Sequence, residues 1–284
     1  MGLHGCSSRM FASTRPRSFG LRRIVRKFGE DFAAQSRVIG ALLIREIYTR
    51  FGREGLGFAW IVGEPLIFAI PVLLTWSVVR GSSEHGVPMM SFLWTGYLPL
   101  LMFRHVGGRM LMFVRVNAGL LYHRQVTIFD IFLARCLLEV VSSLTAVLVS
   151  GVLFYSLGMM DLPRNLPMFY LGYLYMIWWC AVIGLIVGAF SERTDWAEKI
   201  WQPYSYLYIF FGGVFFMAAW LPESLRGWAL LQPSVQAYEL IRAGMFGSAV
   251  RTYGDPAYET TALAVLTLIG LLLMRDARKY VIAE

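Results

Sequence analysis

Apolar residues run along this chain in long blocks separated by short charged segments. Six stretches are nearly free of charge: 58–79, interrupted only by Glu64; 87–103; 137–158, interrupted only by Glu139; 168–190; 204–221; and 261–274. A hydrocarbon core of about 30 Å takes roughly 20 helical residues. The blocks therefore predict six membrane-crossing helices, at about 58–79, 87–108, 137–158, 168–190, 204–221 and 259–276. Two connections are too long for simple turns, 104–136 and 222–260, and long loops usually carry function or structure of their own. In the second, Pro222 and Pro233 precede apolar pieces at 224–231 and 234–246, a pattern for two short helices that dip into a membrane and return. Backbone at that depth must be buried in protein or line a cavity.

Ahead of the first block, residues 35–53 have helical periodicity. Val38, Ile39, Leu42, Leu43, Ile47 and Phe51 share a stripe, with Arg37, Glu46, Arg50 and Arg53 largely off it. A basic amphipathic helix before a span reads as an interface helix, with an ordinary packed cytoplasmic helix as the bland reading. Residues 1–56 form the basic arm and 57–280 the membrane domain.

Composition agrees with this pattern. The chain has 284 residues, 57% hydrophobic and only 15% charged, whereas a soluble domain has about 25% charged residues. The net charge of +8 invites a nucleic-acid reading until the charges are placed. With the N-terminus in the cytoplasm, 21 Lys and Arg fall inside and five outside. That is the positive-inside bias; it puts both termini in the cytoplasm and removes the case for nucleic acid. The arm has no apolar signal core, and Leu3-His4-Gly5-Cys6 lacks the apolar segment that a lipidation site needs. Cys6, Cys136 and Cys180 have neither disulfide nor metal spacing.

Candidate chemistry is sparse. The four histidines form no metal motif, no histidine follows His123 to serve a rhomboid-type protease, and Asp130 and Asp161 lie at span ends. There is no phosphate-binding glycine loop. The chain reads as a non-enzyme. Glu64-Pro65 is the sharpest feature within a span, since a carboxylate there costs roughly 2.5–3.5 kcal/mol and usually faces a bundle interior. Glu64 either lines a path or is satisfied by Arg45, Arg50 or Arg53. In the fifth span Trp201, Tyr204, Tyr208, Phe211 and Phe215 recur at helical spacing on one face, and Tyr206, Phe210, Met217 and Trp220 on another. Such faces suit stacking on sugar rings, or belts and packing. Arg135 and Glu139 are placed to pair along one helix face, and Ser191–Trp196 reads as a solvated turn.

Three stretches carry a family resemblance. Arg45-Glu46-Ile47-Tyr48-Thr49-Arg50-Phe51-Gly52-Arg53, followed by Leu56-Gly57-Phe58-Ala59-Trp60 and Glu64-Pro65-Leu66, resembles the start of the capsular polysaccharide ABC exporter permeases of the ABC-2 type. Asn117-x-Gly119-Leu120, Asp130 and Ala134-Arg135-x-Leu137-Leu138-Glu139 resemble the same family's cytoplasmic loop. Leu231-x-Pro233-x-Val235 and Glu239-Leu240-x-Arg242 resemble its outer loop. The resemblance covers about residues 40–280 and departs at Gln125-Val126-Thr127, where relatives often carry proline.

The resemblance implies an all-α integral membrane permease of the bacterial inner membrane with six transmembrane helices, an amphipathic interface helix bearing Arg45, Arg50 and Arg53, and re-entrant helices in the outer loop at about 222–258. It implies a coupling loop at about 115–128, with Asn117, Gly119, Leu120, Tyr122 and Arg124 as contacts to an ATPase. It makes Trp60, Glu64, Trp76 and the fifth-span face candidates for a polymer conduit. Its partners would be a second copy of itself, two ABC ATPase subunits holding ATP and Mg, periplasmic and outer-membrane export proteins, and a lipid-linked polysaccharide. Glu-Pro at 64–65 looks closer to capsule exporters than to O-antigen exporters. The rivals are an O-antigen or teichoic-acid exporter and an integral membrane glycosyl or lipid transferase.

Overall fold

A computed structural model describes residues 20–51, 57–81, 83–122 and 126–281. Arg53, Arg124 and the Leu3–Cys6 stretch lie outside them. Ten helices follow in order: α1 (Gly20–Phe51), α2 (Gly57–Arg80), α3 (Met89–Arg109), α4 (Phe113–Val116), α5 (Ile128–Ser156), α6 (Leu166–Ser191), α7 (Trp196–Phe211), α8 (Glu223–Leu230), α9 (Pro233–Phe246) and α10 (Pro256–Val281). A two-residue-per-strand hairpin, β1 (Ser83–Glu84) with β2 (Val87–Pro88), links α2 to α3. Its turn places His85 and Gly86 at positive φ.

Among the described residues, three helices are long and apolar enough to cross a membrane: Ile128–Ser156, Leu166–Ser191 and Pro256–Arg275; α2 adds a shorter apolar run, Gly63–Val79. Their outward residues are apolar. Val141, Leu148 and Val152 on α5 and Val265, Leu268 and Leu272 on α10 are more than half exposed. Continuous apolar surface of this kind needs lipid or protein against it.

Several boundaries differ from the sequence expectation. The amphipathic helix expected at 35–53 starts well before residue 35, at Gly20. The third predicted span begins at Ile128 because Thr127 and Asp130 form a capping box: Thr127 Oγ1 accepts from the Asp130 N–H, and Asp130 Oδ2 accepts from the Thr127 N–H. The long inner connection is thus only 110–127. The fifth helix starts at Trp196 and ends at Phe211, where 204–221 was expected. Gly212-Gly213 ends it, with Gly213 at φ 93, a conformation natural to glycine. Phe215, Met217 and Trp220 therefore leave the helical faces that their spacing predicted.

The core is built on α3, α6 and α9. Sixteen of the 21 residues of α3 are buried, as is nearly all of α9. Close approach of α6 and α9 depends on small residues. A Cβ on Gly172 would lie 2.5 Å from the Ile241 backbone nitrogen, and one on Gly244 would meet the Phe169 backbone. The end of the bundle where α3 stops and α5 starts is held by charge. Arg135 on α5 reaches Glu46 on α1 at 3.2 Å and donates to the Arg109 carbonyl at the end of α3. Arg109 in turn meets Glu139 on α5 at 3.5 Å and Glu64 on α2 at 3.7 Å. Gln35 on α1 donates to Asp130. The Arg135–Glu46 pair is shielded, with side chains 12% and 10% exposed.

Gly172→Leu is expected to destabilise the solubilised protein by about 2 kcal/mol through overpacking. Gly227→Ala, where a Cβ meets nothing within 4 Å, is the neutral control in a thermal-unfolding series. Arg135→Ala is expected to cost about 3 kcal/mol by removing the shielded cation beside Glu46. Adding Glu46→Ala should recover part of that loss in a double-mutant cycle.

Candidate functional site

The loop between α3 and α5, expected on the cytoplasmic side, is compact. Met112, at φ 49, turns the chain into the single turn of α4. Phe113 and Val114 are fully buried, while Val116 is 69% exposed. Asn117 closes the turn: its Nδ2 donates to the Phe113 carbonyl at 2.8 Å, and its Oδ1 accepts from Arg45 at 3.1 Å. The interface-helix candidate Arg45 and the coupling candidate Asn117 are thus in direct contact. A short 3-10 turn, Ala118–Tyr122, follows and carries Gly119 and Leu120. Gly119 is exposed with open space around it, and Leu120 is half-buried. The backbones of Tyr122 and Arg50 belong to described elements.

The turn between α6 and α7 is tied to this loop. Ser191 Oγ accepts from the Met112 N–H at 2.9 Å. Glu192 Oε1 accepts from the Val114 N–H at 2.8 Å and, at 3.4 Å, from the Arg115 N–H. Arg115 also meets Asp195 at 3.7 Å. Burial raises the Glu192 carboxyl above the usual carboxylate range, and the two backbone N–H groups oppose that shift. The solvated turn expected at 191–196 is corrected here: Ser191 and Glu192 are buried. Their sequence signal was weak, because a short charged run looks the same whether it meets water or backbone.

The aromatic candidates divide into two groups. Trp201 and Tyr208 are buried and pack on Phe103 of α3, with ring centroids 5.3 and 3.9 Å away. Tyr208 also accepts from the Trp179 indole at 3.1 Å. A Cβ on Gly107 would fall within the Trp201 ring, so that side chain is seated against the α3 backbone. These two residues serve packing in this structure. The other group reaches the surface. Trp60 is 52% exposed, Phe211 42% and Trp76 37%. Trp76 stacks on Phe215 at 5.6 Å, and Tyr204 sits 6.0 Å from Phe211. Glu64 is one-third exposed and meets Arg109; of its expected partners, Arg53 and the Arg50 side chain lie outside the described residues. Arg109 was missed because it is distant in sequence from the arm. Also missed was Arg104 over the Tyr206 ring, 4.1 Å from its centroid.

The 222–260 connection, expected on the outer side, contains two helices where two were predicted, α8 and α9. Arg242, fully buried, donates to the carbonyls of Val214 and Phe216 and lies over the Phe92 ring. Glu239 accepts from the N–H groups of Ala218 and Tyr253, at 2.9 and 3.0 Å. Ser234 donates to the Gly212 carbonyl and Tyr238 to that of Gly96. The Glu239…Arg242 motif therefore supports backbone. Among the described residues, no cluster of His, Cys, Asp and Glu could hold a metal ion.

Comparison with known proteins gives a consistent result. The ABC-2 type transporter family profile matches residues 37–246. The capsule polysaccharide export inner-membrane protein CtrC of Neisseria meningitidis serogroup B is 35% identical over 252 residues, covering 89% of this chain and 95% of that protein. BexB of Haemophilus influenzae, another capsule polysaccharide export inner-membrane protein, is 32% identical over the same shares of both chains. The polysialic acid transport protein KpsM of Escherichia coli is 24% identical over 244 residues, covering 86% of this chain and 95% of its own length. The profile reaches from α1 through the core helices to the end of α9, so the chain belongs to the ABC-2 type transporter family.

Proposed function

We propose that this chain is the inner-membrane permease subunit of an ATP-driven exporter of capsular polysaccharide. The observation that carries this reading is the 35% identity to a capsule export protein across 95% of that protein's length. The chain would act as a pair, with two copies of a separate ATPase that holds ATP and Mg. Periplasmic and outer-membrane proteins would receive the polymer. Six spans with both termini in the cytoplasm fit the 21-to-five division of Lys and Arg. The compact loop 110–122, with Val116 exposed beside Asn117, offers the ATPase a surface. In this reading α8 and α9 are the re-entrant pair.

The accessible aromatics refine the conduit. Trp60, Glu64, Trp76 and Phe211, continued by Tyr204 and Phe215, supply ring faces and one carboxylate on α2 and the α7 end. Ring faces can slide along sugars with little positional selectivity. Transport then requires ATP to favour one arrangement of the helices over another, since a shift needs differential affinity for two states.

Deletion of the gene is expected to leave polysaccharide inside the cell and strip it from the surface; unchanged surface staining would refute the reading for that polymer. The chain purified alone is expected to hydrolyse no ATP above background in a phosphate-release assay. Trp76→Ala should lower surface polymer about tenfold while membrane abundance stays constant, as loss of a sugar-stacking contact of about 1.4 kcal/mol would give. Trp201→Ala should instead lower the melting temperature, because its ring fills the core.

A further inference from the structure

The inner third of α6 is shaped to receive the chain segment that leaves α3. At Gly184 an added Cβ would come within 3.2 Å of both Met110 and Val106. At Gly188, one turn on, it would lie 2.9 Å from the Phe113 ring. Another turn brings Ser191 and Glu192, which accept the N–H groups of Met112, Val114 and Arg115. The two glycines let the segment approach, and the two polar residues hold it. Ser191 is 0% and Glu192 2% exposed, so these bonds are shielded from water. Bonds from backbone N–H to a carboxylate are charge-assisted and stronger than neutral ones. They also offset a local cost, since a left-handed residue such as Met112 is disfavoured without glycine. The exposed Arg115–Asp195 pair lies on the same seam and adds little by itself.

This attachment joins parts of the chain that covalent connectivity does not. The segment is linked by sequence to α3 and α5, whereas Ser191 and Glu192 belong to the turn that begins α7 four residues later. We propose that Ser191 and Glu192 are positioning residues for transport, through which a displacement of the 112–116 segment is delivered to α6 and α7. The proposal rests on the reading of that segment as the ATPase seat. Helix α7 carries Tyr204 and Phe211, so the same turn connects the loop to the aromatic surface. The clamp is a hydrogen-bonded link from the loop to the α6–α7 turn, alongside the covalent links to α3 and α5 and the Asn117–Arg45 bond to α1.

The test uses the full transporter in encapsulated cells. Glu192→Ala is expected to keep its membrane abundance and its co-purification with the ATPase while surface polymer falls about tenfold, comparable to losing one charge-assisted hydrogen bond. ATP hydrolysis by that complex should persist. Glu192→Gln keeps an acceptor oxygen for Val114 and should restore most of the export. A further variant replaces Cys6, Cys136 and Cys180 with alanine and carries Val114→Cys with Glu192→Cys. Joining its two thiols with a short bifunctional reagent should preserve export, because the clamp then persists covalently. Unchanged export by Glu192→Ala, an equal loss in Glu192→Gln, or export abolished by the cross-link would each overturn the proposal. Loss of ATPase co-purification in Glu192→Ala would overturn it as well, by assigning the residue to docking. If Glu192→Ala fails to reach the membrane, the cross-linked pair decides alone. The reading beneath is tested separately, by whether the unaltered permease co-purifies with an ATPase and its deletion removes surface polymer.

Discussion

Where a helix breaks inside a packed bundle, the freed carbonyls and N–H groups need partners, and in this protein α9 supplies them. The chain leaves α7 at Gly212 and runs without regular helix to residue 217. Arg242, Glu239 and Ser234 take up the backbone groups of 212–218, and Gln236 and Glu239 hold the approach to α10 at Asp255 and Tyr253. Unsatisfied backbone is costly in apolar surroundings, so a short, almost wholly buried helix with polar side chains on two sides is a stable solution. The two charges of α9 face backbone dipoles, and the neighbouring aromatic rings of Phe92 and Tyr238 cover the guanidinium. The ends of α6, α7 and α10 all meet this helix, and their outer positions follow from it.

The opposite end is held differently. There the partners are side-chain charges, and they link α1, α2, α3 and α5 through Arg109 and Arg135. Backbone bonds to buried side chains have defined directions, whereas ion pairs are less directional, and water screens those of Arg109 more than the shielded Arg135–Glu46 pair. The structure therefore combines hydrogen bonds to backbone around α9 with a charge cluster that is closed at Arg135 and partly open at Arg109. The candidate coupling residues lie beside that cluster.

Much of this was legible in the residues. Alternation of apolar blocks and charged turns marked the helices, and prolines 222 and 233 marked the starts of α8 and α9. The motif pair Asn117-x-Gly119 and Glu239…Arg242 pointed to the two structured loops. What the pattern could not supply was partnership across the chain. Spacing of 3 and 4 put Trp201, Tyr208 and Phe211 on one face, yet burial separates them, because Phe103 and Gly107 of α3 accept the first two. Periodicity describes a face and is silent on what covers it. Glu64 found Arg109 for the same reason: a charge distant in sequence is close in space. Glycine pairs 212–213 and 184…188 carried information about helix termination and close approach that hydropathy averages away.

Helix α1 is 32 residues long, about 48 Å at the usual rise. Its polar attachments are spread along it, at Gln35, Arg45 and Glu46, and they bind Asp130, Asn117 and Arg135. Asp130 caps α5, and Asn117 closes the loop turn. Helix α1 is thereby coupled at separate points to α5 and to the turn after α3. A tilt of α1 would move the α5 cap, the loop turn and the charge cluster together, so these three parts cannot shift independently of one another.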